Sequence, residues 1–282
     1  MVNSAAQTPL VVLITGCSSG IGQALALEFH GRGYRVWATA RQVERLEKLA
    51  DLGMMTVALD VTQGDSIAAL IDQITAQDGR LDYLINNAGY GLMGSMLDLE
   101  PEAIEAQFRT NVYAPLALCQ AVAPLMRSQG RGVIVNLGSI SGVLTTPFAG
   151  AYCASKAALH ALSDALRLEL DPFGIAVVTV QPGGIQSNFG TAASRLVQQL
   201  PAQSWYQPVA AAIHNRAIAS QTNATPTADF AQQLVTAVTQ PQPPAVVRLG
   251  QGYWPLFLLQ RLLPTALLDR LLTKKFSLDR LP

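Results

Sequence analysis

The segment Thr15-Gly-Cys-Ser-Ser-Gly-Ile-Gly22 constrains the fold of this chain more than any other. It closes the apolar run Leu10–Thr15 and opens the stretch Gly20–Gly31, where Ile21, Leu25 and Phe29 recur at four-residue spacing. A short continuous apolar run reads as a buried strand, and apolar residues four apart read as one face of a helix. Between the two, small residues leave the main chain bare. A bare strand-to-helix turn lets a pyrophosphate approach backbone N–H groups at a helix N-terminus, where the helix dipole favours negative charge. On its own the glycine pattern is equally satisfied by an ordinary tight turn.

The same alternation continues downstream. Strands are predicted at Tyr34–Thr39, Met54–Leu59, Leu81–Asn86, Val133–Leu137 and Ile175–Val180, and helices at Glu44–Leu52, Ser66–Gln77, Glu102–Arg127 and Ala149–Leu170. Pro115 and Pro124 mark adjustments or a boundary in the third helix, and Pro172 with Gly174 ends the fourth. This rhythm predicts an α/β fold of the Rossmann type, a doubly wound parallel sheet with helices on both faces, in one domain over 1–282. The pattern changes after Pro182. Residues 183–225 are predicted to form a substrate lid, because ligand loops lie beyond the carboxyl ends of such strands. Pro226 starts a helix that continues through Asp229–Val238, Gln240-Pro-Gln-Pro-Pro244 is a stiff connector, and Ala245–Leu249 is a late strand. Residues 250–282 form a helical extension, with Leu256, Leu259, Leu263 and Leu267 on a face opposite Arg261, Thr265 and Asp269 unless Pro264 divides it.

Composition narrows the partners. The chain has 282 residues, half of them apolar, and a formal net charge of zero, so a substantial core is expected and nucleic acid is not. Cys17, Cys119 and Cys153 are an odd, scattered set that suits a reducing, cytoplasmic compartment better than a disulfide framework. His30, His160 and His214 lack metal-ligand spacing, so no metal is expected. No signal peptide is apparent, and the apolar tract Trp254–Leu272 is interrupted by Arg261, Pro264, Asp269 and Arg270. A membrane span is therefore not expected, while peripheral contact with a membrane surface stays open.

The chemistry resides in three residues. Tyr152-Cys-Ala-Ser-Lys156 sets a phenol and an ammonium on one face of a helix, and Ser139 ends the apolar strand run that starts at Gly132. An acid, a cation and a second hydrogen-bond donor beside a dinucleotide turn suffice for carbonyl reduction. Over about residues 10–250 the chain resembles the short-chain dehydrogenase/reductase family. The resemblance rests on the glycine loop, Asp60, Asn86-Asn-Ala-Gly89, Asn111, Ser139, Tyr152-x-x-x-Lys156 and Pro182-Gly183. It implies that Gly16, Ser18, Ser19, Gly20, Ile21 and Gly22 hold the cofactor phosphates, with Asp60 and Val61 near adenine. It further implies that Asn87, Ala88 and Gly89 border the cofactor and that Pro182, Gly183, Ile185 and Ser187 meet its nicotinamide end. Tyr152 is then the general acid. Lys156 both lowers its pKa and holds the ribose, Ser139 orients the carbonyl, and Asn111 holds a water linked to the lysine. Two departures bear on the loop: Gly184 is an extra glycine before Ile185, and Ser187 stands where many members carry threonine.

Cofactor and substrate follow more finely. The strand end Val36-Trp-Ala-Thr-Ala-Arg41 carries no acid for ribose hydroxyls, and Arg41 suits a 2′-phosphate, so NADP(H) is expected. That strand end and the tail after Gly250 also support a weaker similarity to hydroxysteroid, retinol and acyl-dihydroxyacetone-phosphate reductases. With Leu144, Phe148, Phe189, Leu196 and Trp205 as pocket or lid residues, the expected substrate is an apolar ketone, aldehyde or secondary alcohol, lipid-derived compounds included. Reduction of small ketones is the alternative, and a noncatalytic dinucleotide sensor or scaffold is the alternative of a different class. The family resemblance implies a homodimer or homotetramer.

Overall fold

The structure is a computed structural model that describes residues 8–187, 189 and 200–282. Its centre is a seven-stranded sheet in the order β3-β2-β1-β4-β5-β6-β7, every neighbouring pair parallel. The strands are β1 (Val11–Ile14), β2 (Arg35–Ala40), β3 (Met55–Ala58), β4 (Tyr83–Asn86), β5 (Gly132–Leu137), β6 (Ile175–Pro182) and β7 (Val246–Leu249). The central strands read as unbroken apolar runs because helices cover both faces, and β1 is buried along its whole length. On one face α1 (Gly20–Gly31) places Leu25 and Phe29 against Phe230 and Leu234 of the late helix Thr227–Val238. On the other, α3 (Gly64–Asp78), which follows the short α2 (Glu47–Ala50), packs Leu70 and Ile74 with Leu118 and Val122 of α5 (Ala114–Gln129).

From β1 the chain builds outward to β3, then returns to place β4 on the other side of β1. That reversal opens a crevice above the carboxyl ends of β1 and β4, the place where such sheets bind ligands. Thr15 bridges it: its Oγ1 accepts from the N–H groups of Asn87 and Ala88, each at 3.0 Å, while Asn87 Nδ2 donates to the Thr15 carbonyl at 2.8 Å.

The stretch read as one helix over Glu102–Arg127 is a correction. It consists of α4 (Pro101–Phe108), a π-helical turn over Arg109–Tyr113, and α5. The wide turn carries Asn111, whose Nδ2 donates to Tyr90 O and Ser155 Oγ, each at 3.0 Å. Its Oδ1 accepts from Tyr90 N at 3.2 Å, so the Asn111 amide is held through both its nitrogen and its oxygen.

Helix α6 (Gly150–Leu170) is next in chain order and carries Tyr152 and Lys156. Its inward face is set by a buried polar chain. Asn86 Nδ2 donates to Asn136 Oδ1 at 2.8 Å, and Asn136 Nδ2 donates to Ser163 Oγ at 2.9 Å. Asn86 and Asn136 are register partners on β4 and β5, so the chain ties two strands to the helix. Truncating a member strands a buried polar group at a cost of about 1–3 kcal/mol, which makes the helix register difficult to change.

The C-terminal part of the chain comprises α7 (Ala210–Ile218), the sheet-covering α8 (Thr227–Val238), and the tail helices α9 (Tyr253–Leu262) and α10 (Thr265–Lys275). Pro264 divides the tail, so a single apolar face does not exist: Leu256, Leu259 and Leu263 are half-buried, and Leu267 is exposed. Phe148 anchors this region. Its ring packs with Val209, Ile213 and Phe276, although its φ of 62° is unfavourable for a side chain of that size. No helix among the described residues is long and apolar enough to cross a membrane.

Candidate active site

A cleft of about 1350 Å³ runs from the glycine turn to the C-terminal tail. Its first wall is the β1–α1 turn, with Gly16, Ser18, Ser19, Gly20 and Ile21. Gly22 lies beneath that wall. A Cβ there would overlap the Gly16 carbonyl and come within 2.5 Å of Asn87 Nδ2, so only glycine lets helix α1 start so close to the turn. Beyond β2 and β3 the cleft is bordered by Arg41, Asp60 and Val61. The Asp60 carboxylate accepts from Thr62 N at 2.9 Å and Thr62 Oγ1 at 2.7 Å, and these bonds hold its pKa below the ordinary value. Asp60 thus caps its own turn and also lines the cleft, with the Arg41 charge a smaller influence on it.

The middle of the cleft is formed by Asn87, Ala88 and Gly89 on one side and Pro182, Gly183, Ile185 and Ser187 on the other. Both glycines of Pro182-Gly-Gly-Ile185 are packed against crossing backbone. A Cβ at Gly183 would overlap the Gln251 carbonyl, and one at Gly184 would lie 2.9 Å from the Ser220 carbonyl oxygen. Gly183 therefore admits the tail to the site, and the extra glycine, Gly184, admits the 220 loop. The Ser187 main-chain N–H donates to Gln221 Oε1 at 2.9 Å.

Ser139, Tyr152 and Lys156 converge at the far end, all three buried and all lining the cleft. Ser139 follows β5 and Tyr152 lies in the first turn of α6, and the buried Asn86–Asn136–Ser163 chain fixes one against the other. Ser139 Oγ accepts from Ser141 N at 3.0 Å, which leaves its own hydrogen to donate. Its main-chain N–H donates to His160 Nε2 at 3.3 Å. Burial, with the Lys156 charge second, brings the His160 pKa down to about 4, so the ring remains a neutral acceptor. Phe189 covers the Tyr152 ring with centroids 5.3 Å apart.

Burial pushes the Tyr152 phenol up to about 12, against the lowering influences of the Ser139 hydroxyl and then the Arg216 charge. Sequence reasoning expected Lys156 to be the lowering cation. Its Nζ instead lies 6.0 Å from the ring centroid and donates to the Leu137 carbonyl at 2.6 Å. Burial alone brings the Lys156 pKa down to about 8. Asn111 lies behind these groups, its Oδ1 only 3.0 Å from where a Gly89 Cβ would stand.

The expected pocket residues divide. Leu144 and Phe189 line the cleft, as does Leu256 from the tail. Phe148 packs into the satellite core instead, Trp205 is 77% exposed and away from the cleft, and Leu196 lies outside the described residues. Sequence reasoning gave no role to Arg216 or His160, and no local motif marks either. Among the described residues, no group of His, Cys, Asp or Glu is placed to hold a metal.

A crevice at a strand-order reversal, a turn that admits only glycine beneath it, and a serine–tyrosine–lysine cluster at its end define a dinucleotide-binding oxidoreductase of carbonyl and alcohol groups. The short chain dehydrogenase family model matches residues 10–198. A short-chain dehydrogenase of Penicillium crustosum is 40% identical over 259 residues, covering 89% of this chain and 94% of its own. The NADPH-dependent 1-acyldihydroxyacetone phosphate reductase of Schizosaccharomyces pombe is 44% identical over 179 residues, 62% of this chain and 60% of that protein. A solved short-chain dehydrogenase from Streptomyces avermitilis superposes with a TM-score of 0.79 at 30% identity, covering 98% of both chains. The chain belongs to the short-chain dehydrogenase family.

Proposed function

We propose that the protein is an NADPH-dependent reductase that reversibly interconverts an apolar ketone or aldehyde with its alcohol. The observation that carries this reading is the buried Ser139–Tyr152–Lys156 cluster at the end of a cleft whose other end is a dinucleotide turn. The turn fits the cofactor. Ser18, Ser19 and Gly20 would meet its phosphates, and Arg41, which has no ion-pair partner among the described residues, would meet the 2′-phosphate of NADPH. The bound nicotinamide supplies or accepts the hydride.

The side chains do the rest. With a pKa near 12 the Tyr152 phenol is protonated throughout the neutral range, the state needed to give a proton to a carbonyl oxygen. The reverse reaction uses the phenolate and gains as pH rises. Ser139 donates its free hydrogen to the same oxygen and stabilises the charge that develops there. Lys156 spends one of its three N–H bonds on Leu137, leaving the others for the ribose hydroxyls. Asn111 fixes the backbone of Tyr90 next to this group, in keeping with a water-holding role.

The apolar preference rests on Met93, Leu144, Phe189 and Leu256 in the lining and on the lipid substrate named for the fission-yeast relative. Reduction of small ketones is the second reading. We assign the protein to a reducing, cytoplasmic setting, supported by three free buried cysteines, and assign the outward row Trp254, Leu258 and Leu262 to a subunit contact or a membrane surface. The test is NADPH and NADH oxidation against short- and long-chain ketones and aldehydes. Turnover with NADPH and long chains is expected. Faster turnover with NADH, or with acetone-sized ketones alone, would overturn the cofactor or substrate assignment respectively.

A further inference from the structure

Arg216 is a cation at the substrate end of the cleft that the proposed chemistry leaves unused. Helix α7 carries it to the substrate end of the cleft, where Nε donates to Thr146 Oγ1 at 2.7 Å and Nη2 to Ser141 Oγ at 3.5 Å. Two hydroxyls orient the guanidinium without neutralising it. Among the described residues no carboxylate lies within ion-pair distance of it, and residues 190–199 contain neither Asp nor Glu. Its ionisable neighbours do not compensate either, since burial raises the pKa of both Tyr152 and Cys153 and keeps them neutral. Withdrawing a guanidinium from water with no counter-charge is costly, and such groups are ordinarily paired.

The rest of the lining points the same way. Lys275 and Arg280 of the tail line the cleft with Arg216, whereas the sole acid among the described lining residues is Asp60, at the adenosine end beside Arg41. The substrate end is therefore a positive, partly desolvated concavity, a form that draws in and retains anions. Its position is also set. Ser141, which accepts from Arg216, gives its own N–H to Ser139 Oγ, and the Arg216 charge acts on the Tyr152 phenol.

We propose that Arg216, oriented by Thr146 and Ser141, binds an oxyanion of the substrate, a carboxylate or phosphate monoester within a few bonds of the reacting carbonyl, and so selects acidic carbonyl compounds over neutral ones. Lys275 and Arg280 steer that anion inward, and the apolar lining takes the remaining chain. This specificity rests on the reductase reading given above. Arg is suited to the task because its planar fork matches the two oxygens of a carboxylate or phosphate.

Four ketones test it in the full-length protein with saturating NADPH: a long-chain 4-oxo acid, its methyl ester, an acyloxy ketone phosphate and the same ketone with a free hydroxyl. The wild type should show a lower KM for the charged member of at least one pair, and which pair responds separates carboxylate from phosphate. Arg216→Met should raise that KM roughly 10- to 100-fold relative to the neutral partner, the loss expected for a charge-assisted hydrogen-bonded pair, while any change in kcat that follows from its charge on Tyr152 is shared by both members of the pair. Arg216→Lys should recover part of it. Equal KM values within both pairs, or an equal loss on all four ketones in both variants, would overturn the proposal and make Arg216 a clamp on the lid. Calorimetric titration of the NADP⁺-saturated protein with the 4-oxo acid, its ester and the ketone phosphate separates the two readings. Anion-selective binding abolished by Arg216→Met, without NADPH oxidation on any ketone, would retain the anion site and refute the reductase. Binding without selectivity would refute the anion site itself.

Discussion

Lys156→Met should make the cofactor-free protein more resistant to unfolding in a manner that depends on pH. Burial holds the lysine near 8, against an ordinary value of 10.5. At about 1.36 kcal/mol per pH unit, keeping the ammonium charged inside the fold costs about 3 kcal/mol at pH 7. Methionine fills a similar volume and carries no charge, so that cost disappears. The variant also strands the Leu137 carbonyl, which accepts from Nζ at 2.6 Å, a loss of about 1–3 kcal/mol that does not vary with pH. The sign follows from proton binding. Between pH 8 and 10.5 the unfolded wild type binds the lysine proton and the folded one does not, so wild-type stability rises with pH across that window. The advantage of the variant is therefore greatest below pH 8, shrinks through the window, and levels off above pH 10.5. Urea unfolding of both proteins at pH 7, 8, 9 and 10.5 measures the difference; groups that Lys156 does not touch cancel, and folded His160, near 4, stays neutral at all four values. A difference that falls by about 3 kcal/mol supports the reasoning. One that stays constant with pH would refute it, because the ammonium would then be solvated in the folded state.

Arg41→Ala should raise the KM for NADPH about tenfold and leave that for NADH nearly unchanged, because one charged hydrogen-bonding fork is lost; steady-state kinetics with both nucleotides decide it, and an unchanged NADPH constant would remove Arg41 from the phosphate site. Trp254, Leu258 and Leu262 share one side of α9 at 55%, 47% and 71% exposure, so replacing all three by serine should leave the thermal midpoint near the wild type. In light scattering that variant should lose mass if the row is a subunit contact, and in vesicle flotation it should lose lipid binding if the row meets a membrane; no change in either would leave the row without a contact role.

The fold was legible because its signals are local and repeated. Strand runs such as Val11–Ile14 and turns such as the one at Gly22 are written in consecutive residues, and predicted ends lie within a few residues of those observed. The π turn at Arg109–Tyr113 was not legible, since an inserted residue leaves the helical composition unchanged, although Asn111 itself was marked by the resemblance. In the site, Ser139, Tyr152 and Lys156 were found because spacing and strand position announce them. Arg216 and His160 were not, because their meaning depends on which distant segment they meet: Thr146 for one, the Ser139 backbone for the other. The tail was legible in its second form. Periodicity offered one apolar face and Pro264 offered its division, and the chain divides there into two short helices that present different faces.

Single-turnover hydride transfer in Tyr152→Phe tests the central claim most directly. The substitution retains the ring that packs against Phe189 and removes the phenolic hydroxyl with its transferable proton. With NADPH and a saturating ketone, followed by nicotinamide absorbance, the rate should fall roughly 10²- to 10⁴-fold while NADPH affinity and the thermal midpoint stay near wild-type values. Transfer at the wild-type rate would contradict the account, because the proton would then come from another group.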